Sequence, residues 1–535
     1  MTTIRSMALL AVLSGYAAAG AAAPGYTVTG VVVEHLTNRP VERVLLTLTA
    51  TDRSGREGGC LSDGNGSFRF ENVAPGKYTL TAERPGGVPE TLHGSEGFVT
   101  GIAVGPGRDS EHIVFPLMAG ARLSGTVTDQ DGEPVQNARV YLFRKGVLGG
   151  SMHINLQGNG QTKTAGRFHF SRLPEGTYYV AIAAQPWYSS AFYGASRSTN
   201  MPPELNLTYP ITYYAGALDP GSASPIALTE GSSTNIQIAL PSVPASTVVL
   251  DGAGDQSKGG VGAWVSVTGP GGYPIMLPAN QTFRDGHLVE LAGMAPGDYT
   301  VTLGSFRQGP PAILRQEHVS VRGGADAVVS DEPFAKVTGR IVFTPPDRPP
   351  EIQIALFSMG LGMGPREVAS IHPDGSFEFN SAGVPAGRYR LQLMNAPEFR
   401  IVSLAAKEAA FDGSLLELKP GASAQLSVAA ARAESRVEGI AIKDGQPFAG
   451  AMVLLVPADQ NTAVYIGRDQ SDSDGTFTIP SVPAGRYFLL AIDDGRDLAY
   501  RDRAAMEPYW KSAQTITVPV AGGNPIRVNV VAREK

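Results

Sequence analysis

Apolar and polar residues alternate in short runs along most of the chain, and the runs are broken by Asp-Gly, Pro-Gly or Ala-Gly. This is the pattern of half-buried strands joined by tight turns. One stretch organises the rest: Asp474-Gly475-Thr476-Phe477-Thr478-Ile479, then Val482-Pro483-Ala484-Gly485-Arg486-Tyr487, then the apolar run Phe488 to Ile492. It recurs from Gly66-Ser67-Phe68 to Gly76-Lys77-Tyr78, from Gly166-Arg167-Phe168 to Gly176-Thr177-Tyr178, and from Gly375-Ser376-Phe377 to Gly387-Arg388-Tyr389. A weaker copy runs from Asp285-Gly286-His287-Leu288 to Gly297-Asp298-Tyr299.

Each copy predicts a hairpin turn, a strand, a corner and a second strand. Gly supplies the positive φ that the turn needs, and Pro and Gly set the corner. The Tyr after the corner is expected to bury its ring and return its hydroxyl to nearby backbone, as corner tyrosines of β-sandwiches do. In units one, two and five the motif follows a fixed order of elements. A Gly-x-Val strand (Gly30, Gly125; Gly439-Ile440 in the last) leads to a turn before Pro40, Pro134 or Pro447, then to a second apolar strand. The expected architecture is all-β, a tandem array of about five sandwiches at 24–120, 121–243, 244–333, 334–432 and 433–535, after a leader at 1–23.

Length and composition agree. A chain of 535 residues exceeds one core, and Gly 64 and Pro 40 suit many short strands better than helices. Arg5, the apolar run Met7 to Leu13 and the small residues Ala17, Ala18 and Ala19 read as a secretory signal, with cleavage after Ala19. That run is too short to span a bilayer and no later stretch is long enough, so a translocated protein of the periplasm, cell surface or exterior is expected. Cys60 stands alone and cannot form an internal disulfide. A net charge of −6 without a basic block argues against nucleic acid as partner.

The order of strand, Asp-Gly-x-Pro turn, strand and motif resembles the carboxypeptidase regulatory-like domain, a transthyretin-like (prealbumin-like) sandwich that occurs in strings in secreted bacterial proteins. The resemblance extends to unit four, where Val337-Thr338-Gly339-Arg340-Ile341 opens the unit and Pro345-Pro346 replaces the turn, and is weakest in unit three. It implies a fold and a compartment, and brings no shared catalytic residues.

Two aromatic segments depart from the repeat. One holds Trp187, Tyr188, Tyr193, Tyr213 and Tyr214, the other Tyr509 and Trp510. Exposed aromatic platforms stack on sugars or anchor protein partners, so these are the candidate binding surface. The competing expectation is that they cover an open edge or end of a sandwich. In an extended segment Tyr213 and Tyr214 point to opposite faces, so at most one of them can be exposed.

Reactive chemistry finds little support. His93 and Glu96 have the spacing of two zinc ligands, with His112 as the nearest third, but a small β unit offers no scaffold for a catalytic zinc site. Asp472/Asp474 and Asp129/Asp131 start like calcium loops without completing one. Glu71 beside Ala74-Pro75 resembles the acid of the self-cross-linking Cna B-type sandwiches, but Lys77, inside the motif, is the wrong lysine. No cofactor or metal is expected. The expected role is a non-catalytic envelope spacer and protein-interaction scaffold whose sandwiches extend along a line. The alternative is carbohydrate binding through the aromatic segments, so the expected partner is an envelope protein or polysaccharide.

Overall fold

A computed structural model describes residues 25–52, 57–84, 89–108, 110–189, 202–250, 261–277, 280–284, 288–305, 312–323, 327–347, 351–358, 366–459, 464–520 and 522–533. The leader, Tyr193 and the Asp285-Gly286-His287 turn lie outside the described residues.

The protein is all-β, a series of two-sheet sandwiches. Each unit begins with an opening strand: Tyr26–Glu34, Ala121–Asp129, Ser246–Leu250, Ala335–Thr344 and Ser435–Lys443. The first strand of the motif pairs antiparallel with it every time. The strand after the corner turns into the second sheet and pairs there with the unit's middle strand. In four units a closing strand returns parallel to the opening one, as Ser233–Leu240 does beside Ala121–Asp129. The third unit closes differently. Its last strands, Ala312–Val321 and Ala327–Asp331, extend the second sheet antiparallel, which matches its weak sequence pattern.

Alternation along the strands fills each core. In the first unit Val28 and Val32, Phe68 and Phe70, and Tyr78, Leu80 and Ala82 all point inward. The glycine of the opening strand is explained by what faces it. Phe68, Phe168, Phe377 and Phe477 sit directly across from Gly30, Gly125, Gly339 and Gly439. A Cβ on Gly439 would come within 2.5 Å of the Phe477 ring and 2.2 Å of the Ile526 carbonyl oxygen. The ring therefore covers bare backbone, and no larger residue fits beneath it.

The corner tyrosines behave alike in all five copies. Tyr78, Tyr178, Tyr299, Tyr389 and Tyr487 each donate their hydroxyl to the carbonyl four residues earlier, over 2.6 to 2.9 Å. They are structural. Burial pushes the Tyr178 and Tyr487 hydroxyls up to about 12.

The sandwiches do not extend along a line, as the spacer expectation had it. The first unit packs against the fifth through Ser473 N–H to the Gly101 carbonyl oxygen at 2.8 Å. The second meets the third through Thr208 Oγ1, the fourth through His153 and the fifth through Gly149 and Gly150. The chain folds back on itself because polar turns and outer sheet faces that look solvent-directed in a single sandwich are used against its neighbours. No described helix is long and apolar enough to cross a membrane.

Candidate functional site

The candidate aromatics are placed very differently from one another. Trp187 follows the corner strand Gly176–Ala183, is 89 % exposed, and stands edge-on to Tyr188 with ring centroids 5.7 Å apart. Tyr188 is half-buried. Tyr213 is 1 % exposed and belongs to an apolar cluster between the second and third units. Its neighbour Tyr214 turns the other way, against the second unit's own core. The two do alternate between faces, but the third unit covers the outer one. Ile275 and Val267 pack there against Tyr141 and Phe143, and Phe143 meets Tyr273 edge-on at 5.7 Å.

Tyr509 is 3 % exposed and sits in a second apolar layer on the outer face of the fifth unit's sheet, with Met452, Leu454, Leu490 and Met506. Trp510 is half-buried against the same layer and tilts onto Phe488 at 6.0 Å. The segment from Leu498 to Trp510 is therefore a lid over a sheet that is apolar on both faces. Uninterrupted apolar runs such as Met452 to Val456 are its sequence trace. As a ligand platform, Tyr213 and Tyr509 are corrected to packing residues. The open aromatic surface among the described candidates is Trp187 with Tyr188.

The polar residues once weighed for metal chemistry form the junction between the first and fifth units. Arg468, only 6 % exposed, pairs with Glu96, and its guanidinium lies over the rings of Phe98 at 4.7 Å and Tyr500 at 5.5 Å. Gln470 Nε2 donates to the His93 carbonyl oxygen at 2.7 Å. Asp472 accepts from Lys77 Nζ at 2.8 Å and from the Gly101 N–H at 3.0 Å, and Asp474 pairs with Arg108. Burial raises the Asp472 carboxyl to about 6, outweighing the nearby Lys77 charge. These contacts separate the residues of the zinc reading. Glu96 accepts from Arg468 and from the Gly149 N–H at 2.6 Å. His93 Nδ1 faces Thr100 Oγ1 at 3.2 Å, and burial lowers its pKa. Among the described residues no group of three His, Cys, Asp or Glu side chains is placed to hold a metal ion.

The turn aspartates serve the turns. Asp129 Oδ1 accepts from the N–H groups of Asp131 and Glu133 at 3.0 and 2.9 Å. Glu71 pairs with Arg69 at 2.8 Å on the surface while Lys77 reaches the fifth unit, so the two do not approach as a cross-link would require. Cys60 is half-buried and its thiol pKa is pushed up by burial.

Sequence reasoning missed a second junction, where His153 joins three units. Arg388 Nη2 donates to His153 Nδ1 at 2.6 Å, and Arg388 Nη1 donates to the Gly271 carbonyl oxygen at 2.9 Å. Since arginine only donates, Nδ1 is the unprotonated nitrogen and Nε2 faces Ser414 Oγ at 3.4 Å. Burial and the Arg388 charge lower the His153 pKa. A lone histidine in an extended segment carries no sequence signal for such a role.

These sandwiches define a class of tandem β-sandwich modules that pack on one another. Residues 27–117 and 122–241, which make up most of the first two units, match the carboxypeptidase regulatory-like domain. No curated protein matches the chain. Among solved structures, the chain is similar to the minor pilin GBS52 of Streptococcus agalactiae, at 15 % identity over 41 % of this chain and 97 % of that one, with a TM-score of 0.21. It is also similar to the shaft pilin SpaA of Lactobacillus rhamnosus GG, at 7 % identity over 41 % and 98 %, TM-score 0.20. The Bacillus anthracis TIE protein aligns at 10 % identity over 95 % of this chain and 74 % of that one, TM-score 0.17.

Proposed function

We propose that the chain is a non-catalytic scaffold of the cell envelope that holds its sandwiches in a fixed mutual arrangement and contacts an envelope partner through its surface. One observation carries this reading. The charged residues that reactive chemistry would need, Glu96, Arg468, Asp472 and Asp474, are occupied in contacts between units. Cell fractionation with N-terminal sequencing tests it. The secreted chain is expected to begin at Gly20, and a chain retained in the cytoplasm with its leader intact would defeat the reading.

A second reading, glycan binding, rests on the exposure of Trp187 beside Tyr188. An indole held open to solvent at 89 % exposure, edge-on to a second ring, is a stacking surface for the apolar face of a sugar. A polysaccharide pull-down with Trp187→Ala beside the unaltered chain separates the readings. Retention that depends on Trp187 favours glycan recognition, and no retention by either form leaves the scaffold reading alone.

A further inference from the structure

We propose that the cleft between the second and third units is a binding site for one residue of a neutral glycan chain, with Trp187 and Tyr188 as the platform for its neighbour. The proposal rests on the glycan reading above and locates its specificity. The cleft has a volume of about 410 Å³ and takes its walls from Ala183–Gln185 and Thr208–Tyr213 on one side and the Met294–Tyr299 corner on the other. Its size falls within the ordinary range for small-molecule sites.

Tyr213 offers the cleft an unused hydroxyl. Tyr213 lines the cleft, and among the described residues its hydroxyl, which reaches the accessible surface there, has no hydrogen-bond partner. Buried tyrosine hydroxyls ordinarily find a partner. In this protein the five corner tyrosines do, and so does Tyr141, which donates to the Met276 carbonyl oxygen on the same interface. A ligand hydroxyl in the cleft would complete Tyr213.

The lining is acidic. Asp219 and Asp298 both line the cleft, and among the described residues no lysine, arginine or histidine lines it, although His318 Nε2 stands 3.6 Å from the Asp298 carboxylate. Carboxylates accept hydrogen bonds from neighbouring sugar hydroxyls, and Asp219, which has no described cation within ion-pair distance, repels an anionic ligand. Asp219 lies close enough to Tyr213 to help burial raise the pKa of that phenol. It stays a donor at any physiological pH.

The cleft also lies beside the open indole. Gln185 lines the cleft two residues before Trp187, and Tyr209, another lining residue, lies close enough to feel the charge of Tyr188. The cleft wall at Gln185 therefore leads within two residues to the exposed indole. A chain of sugars can place one ring between the units and stack the next outside.

The test is affinity electrophoresis of the full chain in gels containing neutral polysaccharides (cellulose derivatives without charge, starch, mannan, xylan, soluble chitin oligomers) and, in parallel, pectate and heparin. The unaltered chain is expected to be retarded by a neutral polymer and not by the anionic ones. Tyr213→Phe and Asp219→Asn should each weaken the retained binding about tenfold, the loss of one or two hydrogen bonds. Both are near-isosteric, and an unchanged melting curve verifies their fold. Retardation abolished by Trp187→Ala but untouched by Tyr213→Phe and Asp219→Asn overturns the cleft and leaves the glycan reading standing. Retardation by anionic polymers only also overturns the cleft. No retardation in any gel overturns both.

Discussion

Tyr389 shows how much one hydroxyl does in this repeat. Its bond to the Pro385 carbonyl oxygen, 2.7 Å long, lies in a buried corner, so Tyr389→Phe leaves that carbonyl without a donor. The expected cost is about 1–2 kcal/mol. In a chain of several units the local readout is native-state hydrogen exchange, where protection of Gly387–Met394 should fall by roughly tenfold or more. Asp472 gives a pH signature of opposite character. Its carboxyl, 4 % exposed, is raised by burial from 3.8 to about 6, so the folded chain keeps a proton that the unfolded chain has already released. This group's contribution is complete below pH 3.8 and is lost as pH rises through about 6. Urea midpoints of the unaltered chain and of Asp472→Asn, measured between pH 4 and pH 7.5, should show that component of the slope only in the unaltered chain. An identical slope in both would remove Asp472 from the account.

At the scale of elements, the contrast is between the two aromatic segments. Leu498 to Trp510 closes the outer face of the fifth unit's sheet, with Asp502 capping the short helix Arg503–Met506 by accepting from the Ala504 and Ala505 N–H groups. Tyr509→Ala should open a cavity in that layer and cost about 3–5 kcal/mol. Trp187→Ala, on an open surface, should change stability by no more than about 0.5 kcal/mol. Thermal unfolding of the two variants side by side checks the pair of predictions. A large loss at Trp187 would mean that the indole packs on something in solution.

At the scale of the whole molecule, compactness follows from buried ionic and apolar contacts between units distant in sequence. A compact body of this length has a radius of gyration of roughly 25 Å, whereas the same units end to end would give about 45–50 Å. Small-angle scattering should fall near the lower figure. Glu96→Ala leaves Arg468 buried without its carboxylate partner, so it should loosen the junction of the first and fifth units and raise the measured radius. An extended profile for the unaltered chain would restore the linear array.

By itself the sequence determined the repeat. The motif turns, the Gly-x-Val strands and the corner tyrosines are local devices, and each works through residues a few positions apart or directly across a ladder. Gly439 beneath Phe477 and Tyr487 over Pro483 are legible for that reason. The tertiary structure alone decided which outer faces meet. Trp187, Tyr213 and Tyr509 look equivalent as aromatics in irregular segments, but their exposures of 89 %, 1 % and 3 % depend on whether a third unit or a returning segment covers them. The charged pairs joining the first and fifth units are likewise invisible in sequence, because Glu96 and Arg468 stand 372 positions apart and either one alone reads as a solvated surface charge. Periodicity records only that a face is apolar or polar. What lies against it is set by how the sandwiches dock.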